Sequence, residues 1–405
     1  MQTGIPRLKG LRGLLVAALY VSVFGCATPP AAPPPPASPP PVAVTPPAAE
    51  MPAVELSTVP PAETPTVQPV LPGMTEGAGH HIALILPLRS AAFGRAAAAV
   101  QQGFLAAAEL QQGELPVRVY AANDEPSEVA ALYRQAVQEG ALAVAGPLTR
   151  SGVAVLAENS ELPVPTLALN MLDMPRGDML YFFGLPPEAE VRQIAQWAAK
   201  TGMLTATVVR TDTAFSQRLG EAFSEAWQQG GGALMPEIVY QGDPSEIRTL
   251  SGQPGEMVFL AAEADKARLM RPYIYTDIPV YATSQVFVGN QYKLRNFDLA
   301  DVRFVDMPWV LQPDHPAVMV YPRAEPPLTL EMERLYALGV DGYRMLQVLY
   351  HHETLNALPL DGVTGKLSLD GHRVQREAMK AELRGGQGVA LEGSKPRPNR
   401  QSRKH

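Results

Sequence analysis

Between residues 80 and 284 the chain alternates short apolar runs with amphipathic stretches. The apolar runs are rich in Val, Ile and Leu and predict strands at residues 82–88, 117–122, 141–148, 165–170, 205–210, 233–240, 257–262 and 280–284. The stretches between them have helical spacing of apolar positions and predict helices at residues 96–110, 127–138, 151–158, 188–200, 214–228 and 264–270. Near-continuous apolar strands joined by helices indicate parallel sheets that are buried on both faces.

Two such series follow one another and meet near residue 186. This arrangement predicts an α/β fold with two doubly wound parallel-sheet lobes and a central cleft. The part after residue 284 is less repetitive. A long amphipathic pattern at residues 328–351 predicts a helix, residues 365–369 predict a strand, and residues 375–383 predict a last helix.

The first 25 residues have the features of a lipoprotein signal peptide. Arg7, Lys9 and Arg12 precede a short apolar run, and Gly25 stands directly before Cys26, the single cysteine of the chain. The apolar run is shorter than the roughly 20 residues that a membrane-spanning helix needs. We therefore expect cleavage before Cys26 and attachment of a lipid to its sulfur; the alternative is a buried free thiol.

Residues 27–73 contain 17 prolines in 47 positions, a composition that cannot form a core and favours polyproline II. If residues 27–79 were fully extended in this way, at ~3.1 Å per residue, they would reach about 160 Å. A flexible coil of that length would average roughly 40 Å. We expect a disordered, semi-rigid tether at residues 26–79, beginning at the lipidated Cys26; a linker with no selected length is the alternative.

Charge and cysteine content limit the partners and the sources of stability. The formal net charge is −7, and removal of the three basic signal residues leaves 30 basic against 40 acidic side chains. This acidic balance argues against nucleic acid or anionic lipid as the main partner. The folded part has no cysteine for disulfides, so its stability has to come from burial. Residues 392–405 form a basic tail that we expect to be disordered, with contact to an acidic polymer or lipid as the functional alternative.

Motifs of the common enzyme classes are not found. Residues 362–366, Gly-Val-Thr-Gly-Lys, resemble a phosphate-binding loop, but the glycine spacing is wrong and Leu367 replaces the magnesium-binding hydroxyl residue. There is no Gly-x-Ser-x-Gly sequence and no zinc-protease motif. We expect no enzymatic activity, no cofactor and no metal site.

A binding cleft has more support than a catalytic site. Ligands of doubly wound sheets lie outside the carboxyl ends of the strands, where polar residues follow several predicted strands here. The candidate cleft-lining residues are Arg89, Ser90, Thr149, Arg150, Asn170, Thr213, Ser284 and Gln285. Helix capping by Thr149 and Thr213, with no ligand at all, is the simpler interpretation of these hydroxyls.

Segments of the second half resemble the penicillin-binding protein activator family of the LpoA type. They are residues 282–285 (Ala-Thr-Ser-Gln), 301–309 (Asp-Val-Arg-Phe-Val-Asp-Met-Pro-Trp), 334–343 (Arg-Leu-Tyr-Ala-Leu-Gly-Val-Asp-Gly-Tyr) and 360–370. With residues 82–88 and 145–148, the likeness covers about residues 80–390. We expect Trp309 to pack at an interlobe crossover, and Gly339 and Gly342 to allow a close backbone approach.

The resemblance implies a non-enzymatic lipoprotein of the outer membrane whose globular domain is similar to type I periplasmic binding proteins. It implies that this domain reaches through the peptidoglycan, itself a candidate contact, and activates a class A penicillin-binding protein, a bifunctional transpeptidase and glycosyltransferase. Ala27 after the lipidated cysteine fits passage to the outer membrane. Longer members of the family carry a helical-repeat region before this domain, where this chain has the proline tether.

By analogy with type I binding proteins, we assign residues 80–186 and 310–355 to the first lobe. Residues 187–309 and 356–391 are assigned to the second, with crossings near residues 186, 309 and 356. The favoured hypothesis is activation of peptidoglycan synthesis. The rival is a periplasmic receptor lipoprotein for an amino acid or similar polar solute, and a cell-wall hydrolase is a third possibility for which the catalytic groups are missing.

Overall fold

The computed structural model describes residues 79–158, 162–172, 178–351 and 358–391, which belong to one compact unit. The predicted signal peptide, Cys26, the tether up to residue 78 and the basic tail lie outside the described residues. Among the described helices, none is both long enough and apolar enough to cross a membrane.

The first lobe contains one sheet with helices on both faces. Its first elements are β1 (His81–Leu86), α1 (Gly94–Gln111), β2 (Val117–Ala121), α2 (Pro126–Gln138), β3 (Ala141–Ala145), α3 (Arg150–Ala157), β4 (Thr166–Ala168) and β5 (Leu180–Phe182). These five strands are parallel, with β1 between β3 and β2 and with Ile82 in register with Val117. Alternate residues of the buried β1 belong to the apolar clusters on opposite faces of the sheet, as the continuous apolar run predicted.

The second lobe repeats this plan. Its elements are α4 (Pro187–Lys200), β6 (Thr205–Arg210), α5 (Ala214–Gln229), β7 (Ala233–Leu234), β8 (Ile238–Val239), β9 (Glu256–Ala261), α6 (Ala264–Met270), β10 (Val280–Ala282), α7 (Lys293–Asn296) and β11 (Val302–Asp306). Short 3-10 turns lie at Ile247–Thr249, Arg271–Tyr273, Ser284–Val286, Asn290–Tyr292 and Phe297–Leu299. Two apolar clusters again cover the two faces of the sheet. The α/β fold with two lobes is thereby confirmed.

The chain then returns to the first lobe and finishes in both. The last elements are α8 (Pro308–Leu311), α9 (Leu330–Tyr350), β12 (Leu360–Asp361), β13 (Lys366–Asp370), β14 (Arg373–Glu377), β15 (Met379–Arg384) and β16 (Gln387–Ala390). The first sheet has the order β12-β13-β14-β5-β4-β3-β1-β2, and the second has β16-β15-β11-β10-β9-β6-β7, with β8 also paired to β6. Within α8, Trp309 packs in the first core and Leu311 in the second, so this turn joins the lobes as predicted.

Two predictions for the C-terminal part are wrong. The crossing expected near residue 356 lies at Ala378, because β12, β13 and β14 complete the first sheet and only β15 and β16 join the second. The helix expected at residues 375–383 is replaced by parts of β14 and β15. Its residues have high helix propensity, but residues 375–377 pair with β13 and residues 379–383 pair with β11 and β16, with Ala381 and Leu383 buried. This pairing outweighs the propensity.

Helices α1 and α9 cross at two glycines. A Cβ atom on Gly103 would overlap the carbonyl oxygen of Tyr336, and one on Gly339 would overlap the carbonyl oxygen of Val100. The close backbone approach predicted for Gly339 is therefore confirmed. At Gly342 the nearest neighbour of a Cβ would be the side chain of Leu169, not a backbone.

Candidate functional site

A buried ion pair links the two lobes at the base of the cleft. Asp306 ends β11 in the second lobe, and Arg334 lies in the second turn of α9 in the first lobe. The guanidinium donates to both carboxylate oxygens, with Nη2 2.6 Å from Oδ2 and Nε 3.2 Å from Oδ1. It also donates to the carbonyl oxygen of Ser284 at 3.0 Å. Burial acts to lower the pKa of Arg334, but the neighbouring carboxylates, Asp306 first and then Glu190 and Glu331, together outweigh it and raise the pKa.

A second link joins α4 of the second lobe to β14 of the first sheet and to Ala378, which follows β14. The carboxylate of Glu190 accepts a hydrogen bond from Arg376 Nη2 at 2.8 Å and one from the backbone N–H of Ser284 at 2.9 Å. Gln193, one turn further on, donates to the carbonyl oxygen of Ala378 at 2.6 Å and accepts from its N–H at 3.0 Å. Ser284 thus touches both ion pairs, and the four charged side chains form one network across the lobes.

The cleft itself holds a small cavity of about 210 Å³. It is lined by Leu185, Pro187, Glu190, Ser284, Gln285, Met307, Glu331, Arg334 and Leu335. This volume is below the about 300–1,000 Å³ typical of ligand pockets. Because Glu190 and Arg334 are already bonded to partners within the protein, a solute would have to displace internal ion pairs to bind them.

Of the eight predicted cleft residues, Ser284 and Gln285 line this cavity and the other six do not. Arg89 is directed to Glu128, with which it forms an ion pair in the first lobe. The Oγ atom of Ser90 accepts from the N–H of Phe93 at 2.8 Å, and Asn170 donates to the carbonyl oxygen of Leu148 at 2.7 Å.

The remaining predicted residues lie at helix starts. Thr149 caps α3 by accepting from the N–H of Gly152 at 3.2 Å, and Thr213 caps α5 by accepting from the N–H of Ser216 at 3.2 Å. The capping interpretation of both threonines is confirmed. Arg150 is the exposed first residue of α3. The structure therefore brings together two of the eight residues at the cavity.

The charged residues that dominate the cleft were not predicted from the sequence. Asp306 is the last residue of β11, and a polar residue at the end of a strand is the kind of signal used for the other candidates. The spacing of residues along the sequence does not predict that Asp306 pairs with Arg334 or that Glu190 pairs with Arg376. Each of these ion pairs joins two elements that are distant in the chain.

The segment that resembles a phosphate loop is filled by a side chain of the protein. The buried carboxylate of Asp341 accepts from the N–H groups of Val363 and Thr364 at 3.1 and 2.7 Å and from the Thr364 hydroxyl at 2.6 Å. Arg344 donates to it at 3.0 Å. Burial raises the pKa of Asp341, while Arg344 and these hydrogen bonds oppose the rise. The N–H groups that could hold a phosphate already have an anionic partner.

Within the described ranges, no three His, Asp or Glu side chains come close enough to hold a metal ion.

The sequence matches the profile of a family described as "LppC putative lipoprotein" over residues 71–252 and 249–386. Among curated relatives, "Penicillin-binding protein activator LpoA" of Aliivibrio fischeri is 25% identical over 344 residues, covering 75% of this chain and 56% of the relative. The protein of the same name from Photobacterium profundum is 26% identical over 339 residues, covering 73% and 54%. The chain spans about half the length of these relatives.

Two solved structures illustrate the range of similar folds. A "putative branched-chain amino acid ABC transporter" from Chromobacterium violaceum ATCC 12472 is 37% identical with a TM-score of 0.66, and the match covers 75% of this chain and all of that one. The C-domain of LpoA (YraM) from Haemophilus influenzae, described as a regulator of PBP1A, is 24% identical with a TM-score of 0.63, covering 77% and 100%. The second likeness concerns the fold alone.

Proposed function

Because the chain belongs to the LppC family of lipoproteins, we propose that it activates a class A penicillin-binding protein and so regulates peptidoglycan synthesis. The observation that carries this proposal is the family match over residues 71–386, together with curated relatives that are named as activators of penicillin-binding proteins. The relatives are about twice as long as the matched part, so the activity is proposed for the α/β unit without the additional regions that they contain.

The lobe interface supports a role as a binding surface for a protein more than a role as a solute receptor. A receptor that closes around a solute needs free polar groups in its cleft and lobes that can move apart. Here the ion pairs of Asp306 with Arg334 and Glu190 with Arg376 occupy the cleft and hold the lobes together. We infer a rigid body that acts by binding the synthase more tightly in its active state.

We also propose that the protein has no catalytic activity of its own. The segment most similar to a catalytic loop, residues 362–366, is occupied by Asp341. Two of the charged groups that line the cleft cavity, Glu190 and Arg334, are bound in ion pairs, and no nucleophile–base pair is found among its lining residues.

For its location we propose a lipid anchor on Cys26 in the outer membrane, with the α/β unit facing the periplasm and contacting or crossing the peptidoglycan. The support is the sequence around Cys26, the Ala27 that follows it, and the family of lipoproteins. Replacement of Cys26 by Ala should release the protein from the membrane fraction and abolish incorporation of labelled palmitate. A Ser57→Ala variant, changed in the same tether, is the control and should behave as the wild type.

The function is tested with the lipid-free chain, residues 27–405, and a purified class A synthase from the same organism. The measured quantities are glycan polymerisation and peptide cross-linking rates with increasing amounts of the chain, with heat-denatured chain as the control. The proposal expects a saturable rise in either rate. No binding and no change in either rate at micromolar concentrations would contradict it.

A solute receptor is the second candidate, favoured by the 37% identity to the structure described as a "putative branched-chain amino acid ABC transporter". It requires that leucine, isoleucine or valine raise the unfolding temperature of the purified chain in proportion to ligand concentration. We expect no such shift, because the groups that would hold the amino acid's carboxylate and ammonium are bonded across the lobes.

A further inference from the structure

An open polar groove lies between α4 of the second lobe and the β13–β14 hairpin of the first. Its volume is about 560 Å³. Six polar side chains that line it are considered further: Arg192, Gln196 and Lys200 from α4, and Lys366, Ser368 and Gln375 from the hairpin. We refer to these six residues as the α4 groove.

The two walls present these side chains by ordinary helix and strand geometry. Arg192, Gln196 and Lys200 are four residues apart, so they follow one exposed stripe of α4. On the hairpin, Lys366 and Ser368 alternate with a buried Leu367, and Ser368 is in register with Gln375. Both walls therefore direct polar side chains into the same groove.

The charge of the groove is opposite to that of the molecule. The chain has a net charge of −7, but four cations and a single carboxylate, Glu377, line this groove. Arg376 is paired with Glu190, and Glu377 is in register with Lys366 on the same face of the hairpin. Arg192 and Lys200 form no ion pair with any described residue. They leave two uncompensated positive charges, which favour an anionic partner.

An apolar groove continues from this surface along the end of α4. It has a volume of about 390 Å³, shares Gln196 and Lys200 with the α4 groove, and is lined further on by Met203, Leu204 and Trp227. Leu204 is 67% exposed, so its apolar surface is accessible to a partner at this groove. A partner that fills both regions needs anionic groups and large apolar groups within one segment.

From this arrangement we infer that the α4 groove docks an acidic polypeptide segment whose carboxylates face Arg192 and Lys200 and whose apolar side chains lie against Leu204. This inference rests on the proposed function, because the segment is assigned to the periplasmic part of the synthase. A polypeptide fits better than the wall polymer, since glycan strands with short peptides have no large apolar side chains for the second groove. Because the two lobes supply opposite walls, the interlobe ion pairs also fix the width of the groove.

The test compares two charge-reversal variants of the lipid-free chain. Arg192→Glu/Lys200→Glu changes the α4 groove at two exposed side chains that form no ion pair within the described ranges. Lys266→Glu/Lys293→Glu, at exposed positions on α6 and α7 of the same lobe, makes the same change in net charge elsewhere. Binding to the immobilised periplasmic part of the synthase is measured by interferometry at about 50 mM and about 300 mM salt, where screening differs strongly.

We expect the groove variant to bind at least about tenfold more weakly at low salt, and the control within about twofold of the wild type. Higher salt should reduce the difference between wild type and groove variant. Equal binding of wild type and groove variant would overturn the groove assignment and leave the proposed function intact. A wild-type chain that does not bind the synthase would overturn the proposed function and this assignment with it. Loss of binding to purified peptidoglycan by the groove variant, with synthase binding unchanged, would assign the groove to the wall polymer and overturn the polypeptide.

Discussion

Arg334 Nη2 lies 2.6 Å from Asp306 Oδ2, and this bond joins a helix of the first lobe to a strand of the second. Both side chains are buried, and the same guanidinium nitrogen also bonds to the carbonyl oxygen of Ser284. Asp306 lies at the carboxyl end of β11, the end of a strand at which doubly wound sheets bind their ligands, and here this position is occupied by an internal ion pair.

Replacing Arg334 by Met should therefore destabilise the protein strongly, because it leaves the Asp306 carboxylate buried without a partner. We expect a loss of about 3–5 kcal/mol in the free energy of unfolding, as for other broken buried pairs. Urea denaturation followed by tryptophan fluorescence measures this quantity. Arg218→Met, which breaks the surface pair with Glu188, is the matched control and should cost about 0–1 kcal/mol. Similar losses in the two variants would show that the interlobe pair has no special role.

Alanine at Gly103 or Gly339 should destabilise the crossing of α1 and α9. An added methyl group on either glycine meets the backbone of the other helix, so the helices have to separate. Overpacking of this kind costs about 1–3 kcal/mol, although alanine favours helix formation by about 1 kcal/mol. Gly230→Ala, at the end of α5 with ordinary φ and a Cβ contact of 3.4 Å, is the control. The unfolding temperature of Gly230→Ala should be close to that of the wild type, and those of Gly103→Ala and Gly339→Ala should be lower. A lower unfolding temperature for Gly230→Ala than for the other two variants would contradict the crossing geometry.

Asp341→Asn should loosen the turn that precedes β13. The amide retains one acceptor oxygen for the N–H groups of Val363 and Thr364, and its nitrogen would face donors. We expect a loss of about 1–3 kcal/mol in unfolding free energy and faster hydrogen exchange of these two backbone amides. Asp361→Asn, at an exposed side chain in the same region, is the comparison and should leave both measurements unchanged. Unchanged exchange in Asp341→Asn would mean that the turn does not depend on the carboxylate.

Deletion of residues 30–69 tests whether reach limits the proposed activity. The remaining 13 residues between Cys26 and the α/β unit could span only about 40 Å even in polyproline II. We expect this variant to remain in the membrane fraction and to activate the synthase in solution, but to fail to support it in cells. A Gly/Ser segment of equal length should restore activity only in part, since it averages roughly 40 Å. Full activity of the deletion variant in cells would show that the tether length is irrelevant.

The periodic part of the sequence predicted most of the fold. The continuous apolar run of β1 predicted a strand in a sheet that is buried on both faces. The helical spacing of apolar residues in α4 and α5 predicted these two helices. Thr149 and Thr213 could be assigned as caps because a cap depends on three neighbouring residues. Local patterns of this kind need no knowledge of the rest of the chain.

Such local patterns did not predict the ion pairs of the cleft or the C-terminal strands. Arg334 bonds to Asp306 because α9 and β11 meet across the lobes, and nothing in the residues between them specifies this meeting. The residues of β14 and β15 favour a helix locally. They form strands because β14 pairs with β13 and β5, and β15 pairs with β11 and β16. Where contact with an element distant in the chain determines an ion pair or the secondary structure of a segment, the sequence alone does not predict it.

The order of the last strands has a consequence for the time at which the protein can fold. Residues 360–377 extend the first sheet and residues 379–390 extend the second, although the rest of each sheet comes from much earlier parts of the chain. Neither lobe can complete its sheet until residues 360–390 have reached the same compartment as the earlier strands. If the chain is transported from its N-terminus, both lobes stay incomplete until residues 360–390 emerge, and these strands then complete the two sheets together.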